Sequence, residues 1–182
     1  MSQSPEAVSG TTVSVDVIVD DLAFVVADAV ARSVDAELRA VTPVLRRMEE
    51  AAGASLLRQL RVNEPLEVGA AVVTGAGALS TELMIHAVVA TRTESVSADG
   101  VRRATLSTLQ RAHDFGVVHL AMAPFGLGAG NLDEDACARV MLDAVHEHCS
   151  GRARPERITM VAETEREAES FRAVVVRRWG AA

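Results

Sequence analysis

Lysine is missing from all 182 residues; the 18 basic side chains are arginine. That excludes a Schiff-base lysine, a pyridoxal-type site, a nucleotidyl-lysine intermediate and the lysine of a Walker phosphate loop. Tyrosine is also missing and aromatics total 3%, too few for the stacking platforms that hold single-stranded nucleic acid. Acids outnumber bases 25 to 18, a net charge of −7, which opposes the counterion release behind duplex binding. Nucleic acid is therefore not an expected partner. The two cysteines, Cys137 and Cys149, cannot make a disulfide framework or a four-thiolate zinc site, and they fit a reducing cytoplasm, the expected location. No apolar run approaches the ~18 residues of a membrane span. Residues 1–10 lack the charged-then-apolar layout of a signal peptide, so neither export nor a membrane partner is expected.

What is present suits one soluble globular domain: 49% apolar and 24% charged residues over a length of one core. Residues 1–10, rich in Ser, Pro and Gly, read as a disordered lead, 11–179 as the domain and 180–182 as a frayed tail. Val13, Val15, Val17 and Val19 alternate, which predicts a first strand over 12–19. The apolar run 24–31 predicts a second, buried strand and the turn leading into it. Thr42 and Pro43 mark a helix start that ends at Gly53, with a short helical piece over 55–60. Strands are predicted over 69–74, 83–90, 117–123 and 157–162, and helices over 100–115, 132–149 and 165–178. The order β, β, α, β, β, α, β, α, β, α predicts a mixed sheet with helices on both faces.

The most informative stretch is 123–131, where glycine recurs at 126, 128 and 130 between a buried strand and a strong helix. Glycine lets peptide N–H groups approach a ligand, and a helix start adds unpaired donors and partial positive charge. Such a cradle holds phosphate without lysine. The competing account is a tight turn that binds nothing. Asn131 and Glu134 have the spacing of a capping box, while Asp133, Glu134 and Asp135 in the first turn weaken the pull on an anion. Asp20 and Asp21 close the first strand, where a carboxylate accepts from an amine or a ribose, or simply caps a solvated turn.

These segments together resemble the macro domain family. Val19-Asp20-Asp21-Leu22-Ala23 and then 28–35 are similar to its opening, with Asp21 and Asp28 at the family spacing. Residues 49–53 resemble the end of its first long helix, 68–79 a glycine- and threonine-marked strand, 84–88 its isoleucine-histidine strand, and 124–130 its second, phosphate-binding loop. The likeness spans 13–176 and implies a three-layer α/β/α sandwich around a mixed, roughly six-stranded sheet. It also implies binding of ADP-ribose or a related nucleotide. Asp21 would take the adenine amine and Leu22 offer a backbone contact, while Gly126, Leu127, Gly128, Ala129 and Gly130 would wrap the diphosphate and distal ribose. Two family asparagines are replaced by Arg32 and Asp35. Arg32 is placed either on a ligand phosphate or in a pair with Asp35 or Asp28, and Asp35 is placed to accept from ribose hydroxyls or, in a hydrolase, to orient or deprotonate a water. The glycine-rich first loop is replaced by 39–43, Asp20 stands for a glycine, and Glu163-Thr164 offers no adenine-stacking aromatic.

Three functions follow from the resemblance: a nucleotide-binding module, a degenerate interaction or oligomerisation module with its cleft closed by 39–43, and a hydrolase of ADP-ribosyl linkages. Whether the chain self-associates stays open. No metal or cofactor is expected, since His146 and His148, two apart on a helix, point ~200° apart. His86 and His119 are expected to pack within strands, and Cys137 to be an inert core thiol.

Overall fold

Six segments rich in valine, isoleucine and alanine pair into one sheet, because each hides at least one face of β-branched or small side chains. The computed structural model describes residues 13–128 and 132–180; the expected lead, 1–10, lies outside them. The elements in chain order are β1 (Ser14–Val19), a 3-10 turn (Leu22–Phe24), β2 (Ala29–Asp35), α1 (Pro43–Gln59), β3 (Ala71–Gly75) and β4 (Leu83–Ala90). There follow α2 (Ala98–Asp114), β5 (His119–Met122), α3 (Glu134–Cys149), β6 (Arg157–Ala162) and α4 (Glu165–Trp179). The sheet order is β1-β6-β5-β2-β4-β3, parallel throughout except for β3, which runs antiparallel to β4.

Alternation along the strands builds three layers. Ala29 and Ala31, Ile85 and Ala87, Leu120 and Met122, and Ile158 and Met160 pack under α2, α3 and α4 with Leu109, Met141 and Phe171. Their neighbours Val30, Met84, Ala121 and Val161 face α1, meeting Leu45, Met48, Ala52 and Leu56. The α/β/α sandwich and its mixed sheet are therefore as the sequence predicts. No helix among the described residues is long and apolar enough to cross a membrane.

Local differences have identifiable causes. Within the run 24–31 the turn takes the larger share: Asp21 caps a 3-10 turn by accepting from the Ala23 N–H at 2.9 Å, and the expected strand begins pairing at Ala29. Asp28 holds that entry, its Oδ2 accepting from the N–H groups of Val118 and His119 at 2.9 and 2.8 Å. The helix expected from residue 132 starts at Glu134, because Asp133 is the cap and accepts from Ala136 N–H at 2.7 Å. Asn131, the other candidate, lies outside the described residues. The break expected at Gly53 is there (φ +79°), and the helical piece expected over 55–60 follows it as the last part of α1.

Arg32 differs most from expectation. Its side chain is fully buried inside β2, and it pairs with neither Asp35 nor Asp28. Its Nη1 donates to Glu49 Oε1 at 2.6 Å and its Nε donates to His86 Nδ1 at 3.1 Å. Since guanidinium only donates, His86 carries its proton on Nε2 and donates to Thr74 Oγ1 at 2.8 Å. Glu49 Oε1 also accepts from Ala40 N–H at 3.0 Å. The network thus ties β2, β3, β4, α1 and the loop after β2 together. Burial, then the Arg32 charge, holds His86 neutral, with its pKa lowered to about 3.

Two outcomes follow. Glu49→Ala leaves a buried guanidinium without its counter-charge and should cost about 3–5 kcal/mol in denaturant unfolding; a loss under ~1 kcal/mol contradicts the network. The unfolded chain protonates His86 near pH 6.5 while the folded chain resists it. Stability should therefore be full above that pH and fall as pH drops towards 3. In His86→Gln, the unfolding midpoint should depend less on pH across that window.

Candidate functional site

Three connections leave the same end of the parallel strands: β2 into α1, β5 towards α3, and β6 into α4. Helix starts present unpaired amides, which is why ligands of open α/β sheets collect there. A cleft of about 300 Å³ opens between these connections. Ser33 and the start of α1 (Thr42, Pro43, Val44, Leu45) form one wall, and Ala123, Pro124, Leu127 and Gly128 the second. Glu163 and Glu167, at the start of α4, form the third.

The first wall is set by helix chemistry. Thr42 Oγ1 accepts from the Leu45 N–H at 3.3 Å and Pro43 has no N–H. Of the first-turn donors, that leaves the Val44 N–H with no acceptor among the described residues.

The second wall is held from below by sulfur. Phe125 is fully buried, its N–H donates to Met141 Sδ at 3.0 Å, and its carbonyl accepts from the Cys137 thiol at 3.1 Å. Burial leads the causes that push the Cys137 pKa up to about 12, so this thiol is structural and not nucleophilic. Beyond Phe125 the chain turns through Gly126 (φ +83°) and Gly128 (φ +74°). The N–H groups of Gly126, Leu127 and Gly128 have no acceptor among the described residues. The two glycines serve different ends. A Cβ on Gly126 would meet Val96 Cγ1 at 2.6 Å, inside the protein, whereas one on Gly128 would point at Thr42 Cγ2, 3.5 Å away across the cleft. Ala129 and Gly130 lie outside the described residues.

The third wall is acidic. Glu167 closes the start of α4: its N–H donates to Thr164 Oγ1 at 3.3 Å and its Oε2 accepts from Glu163 N–H at 2.9 Å. Partial desolvation, then the Glu167 charge, raises the Glu163 pKa; Asp21 adds to this and Arg47 opposes it.

The remaining expected residues are not all gathered here. Asp21 is exposed beyond the cleft, on the Glu163 side, and Leu22 is buried against the α1 layer. Arg32 is sealed within the sheet. Asp35 is engaged in its own turn: Oδ1 accepts from the N–H groups of Glu37 and Arg39, both at 2.9 Å, and Oδ2 from Arg39 Nε at 2.8 Å. These bonds hold a turn in which Leu38, buried, sits at φ +62°. Sequence reasoning misses Ser33, Glu163 and Glu167 as cleft residues. The capping pattern of Thr164 and Glu167 is the signal that places the last two at a helix start.

Residues 33–141 match the family model described as "Macro domain". The chain belongs to the macro domain family. This macro domain is 32% identical over 124 residues to an uncharacterized protein of Mycobacterium tuberculosis, a match covering 68% of this chain and 34% of that protein. The chain thus spans about a third of the length of such mycobacterial relatives. Over 170 residues, 90% of this chain and 94% of the other, it is 26% identical to an O-acetyl-ADP-ribose deacetylase of an Enterobacter strain. Among solved structures, an Oceanobacillus iheyensis macrodomain with ADP superposes with a TM-score of 0.80 at 15% identity, over 88% of this chain and 89% of that one. A Trypanosoma brucei macrodomain in complex with ADP-ribose gives 0.79 at 16%, over 88% and 68%.

A second hollow, about 570 Å³, is larger but shallow. It runs between α2 and the end of α3, and its charges are largely spoken for: Arg111 pairs with Asp114, and Glu147 with Arg102. The smaller cleft has the unpaired peptide donors.

The two loop glycines should separate in experiment. Gly128→Val puts a side chain into the cleft and should weaken any nucleotide held there by tenfold or more at a stability cost of about 1–2 kcal/mol from its positive φ. Gly126→Val drives a side chain into Val96 and should show first as lost stability, by ~2 kcal/mol or more. Calorimetric titration beside denaturant unfolding reads both, and equal behaviour of the two variants contradicts the assignment.

Proposed function

We propose that this macro domain binds an ADP-ribose-type nucleotide in the cleft between α1, the glycine loop and α4, and that it does so without hydrolysing it. The observation that carries the reading is the set of N–H groups without an acceptor among the described residues, at Val44, Leu127 and Gly128 on the walls of one cleft and at Gly126 beside it, with no cationic side chain lining that cleft. Preorganised peptide dipoles of this kind stabilise phosphate oxygens without lysine. At about 300 Å³ the cleft is at the small end of ligand sites. It takes the diphosphate and an adjoining sugar, and the base extends along the surface to Asp21. One Asp21 oxygen caps the 3-10 turn, and the other is left to accept from an exocyclic amine.

The hydrolase alternative draws on the likeness to the deacetylase. Asp35 is the residue on which it would depend, and the three donors on that carboxylate commit it to holding its own turn. The interaction-module alternative needs a closed cleft, and residues 39–43 leave this one open. The test is calorimetric titration with ADP-ribose, run beside an assay of O-acetyl-ADP-ribose turnover. Saturable binding with no turnover is expected. Absence of binding at millimolar ligand, with folded protein, overturns the reading, and turnover abolished by Asp35→Ala would restore the hydrolase.

A further inference from the structure

We propose that Glu163 is a specificity residue, which makes the cleft accept an adenosine ribose with free hydroxyls and reject one that carries a phosphomonoester. This rests on the nucleotide-binding reading above. If the diphosphate lies on the amides of residues 126–128 and the adenine amine on Asp21, the adenosine ribose must bridge the two. Glu163 lines the cleft with Leu127 and Gly128 and lies within electrostatic reach of Asp21.

Three observations point the same way. Glu163 is exposed at the cleft's edge, and its carboxylate accepts no hydrogen bond from any described residue, so it is open to a ligand. Every other acid named around the site is engaged: Glu167 by the Glu163 N–H, Asp21 by the Ala23 N–H, and Asp35 by Glu37 and Arg39. Finally, the groups acting on Glu163 from the elements around it are Glu167 on α4, Asp21 at the 3-10 turn and Arg47 on α1, two acids against one base. A solvated carboxylate that no protein donor occupies, in a field of like charge, accepts from a neutral hydroxyl and opposes a further anion. A phosphomonoester brings ~1.5–2 negative charges to the same place.

The experiment is calorimetric titration of the intact chain with ADP-ribose and with its 2′-phosphorylated form, for wild type and Glu163→Gln. Wild type should prefer ADP-ribose by about tenfold, the scale expected of close like charges in a solvated site. Glu163→Gln should cut that preference to about threefold or less, mainly by improving the phosphorylated ligand. Since Glu163 contributes only its backbone to the capping bonds, the variant should unfold as wild type does. As a check independent of the variant, raising salt from about 0.1 M to 1 M should narrow the wild-type preference, because screening shortens from ~10 to ~3 Å. Equal binding of both ligands by wild type, or a preference unchanged in Glu163→Gln, overturns the inference alone. Failure of ADP-ribose itself to bind overturns the nucleotide-binding reading and this inference with it.

Discussion

The buried pair of Arg32 and Glu49 is the constraint on which the site depends. A guanidinium inside a sheet is tolerable only with a counter-charge and satisfied donors. Glu49 provides the charge and His86 an acceptor, leaving one nitrogen, Nη2, without a partner among the described residues. The cost of this arrangement is large, and its geometric effect is specific. Glu49 Oε1 holds the Ala40 N–H as well, so the loop after β2 is fixed just before Thr42 begins α1. A loop without glycines thereby becomes a fixed wall of the cleft.

The opposite wall is fixed by softer chemistry. Met141 and Cys137, a turn apart on α3, satisfy both backbone groups of Phe125. The chain is thereby anchored one residue before it turns at Gly126. Two anchors on opposite faces of the sheet, one ionic and one sulfur-based, set the spacing between α1 and the glycine loop. Between them the amides are left unpaired. On the proposed reading the acidic third wall limits which anions fit, since peptide dipoles would attract a diphosphate while the carboxylates at α4 would repel additional charge.

Much of this was legible in the sequence because it is local. Alternation in β1, the Thr42-Pro43 start of α1 and the glycine spacing at 126 and 128 each depend on a few neighbouring residues. The order of strands and helices was recoverable for the same reason. The fate of Arg32 was not. Its partners stand 17 and 54 residues away, and only the pairing of β2 with β4 and the packing of α1 bring them within reach. Nearby Asp35 and Asp28 were the obvious partners by sequence distance, but one holds its own turn and the other the entry to β5. The start of α3 was ambiguous because Asn131 and Asp133 are both good caps. The acidic wall was hidden because Glu163 and Glu167 are ordinary surface residues until α4 is set beside the cleft.

Amide proton–nitrogen spectra recorded during titration with ADP-ribose test the central claim most directly. If peptide donors at the mouth of this cleft hold the diphosphate, the largest shifts will fall on Val44, Gly126, Leu127 and Gly128, with smaller ones at Asp21 and Leu22. Shifts confined to the α2–α3 hollow, around Arg111 and Arg152, or no shifts at saturating ligand, would contradict it.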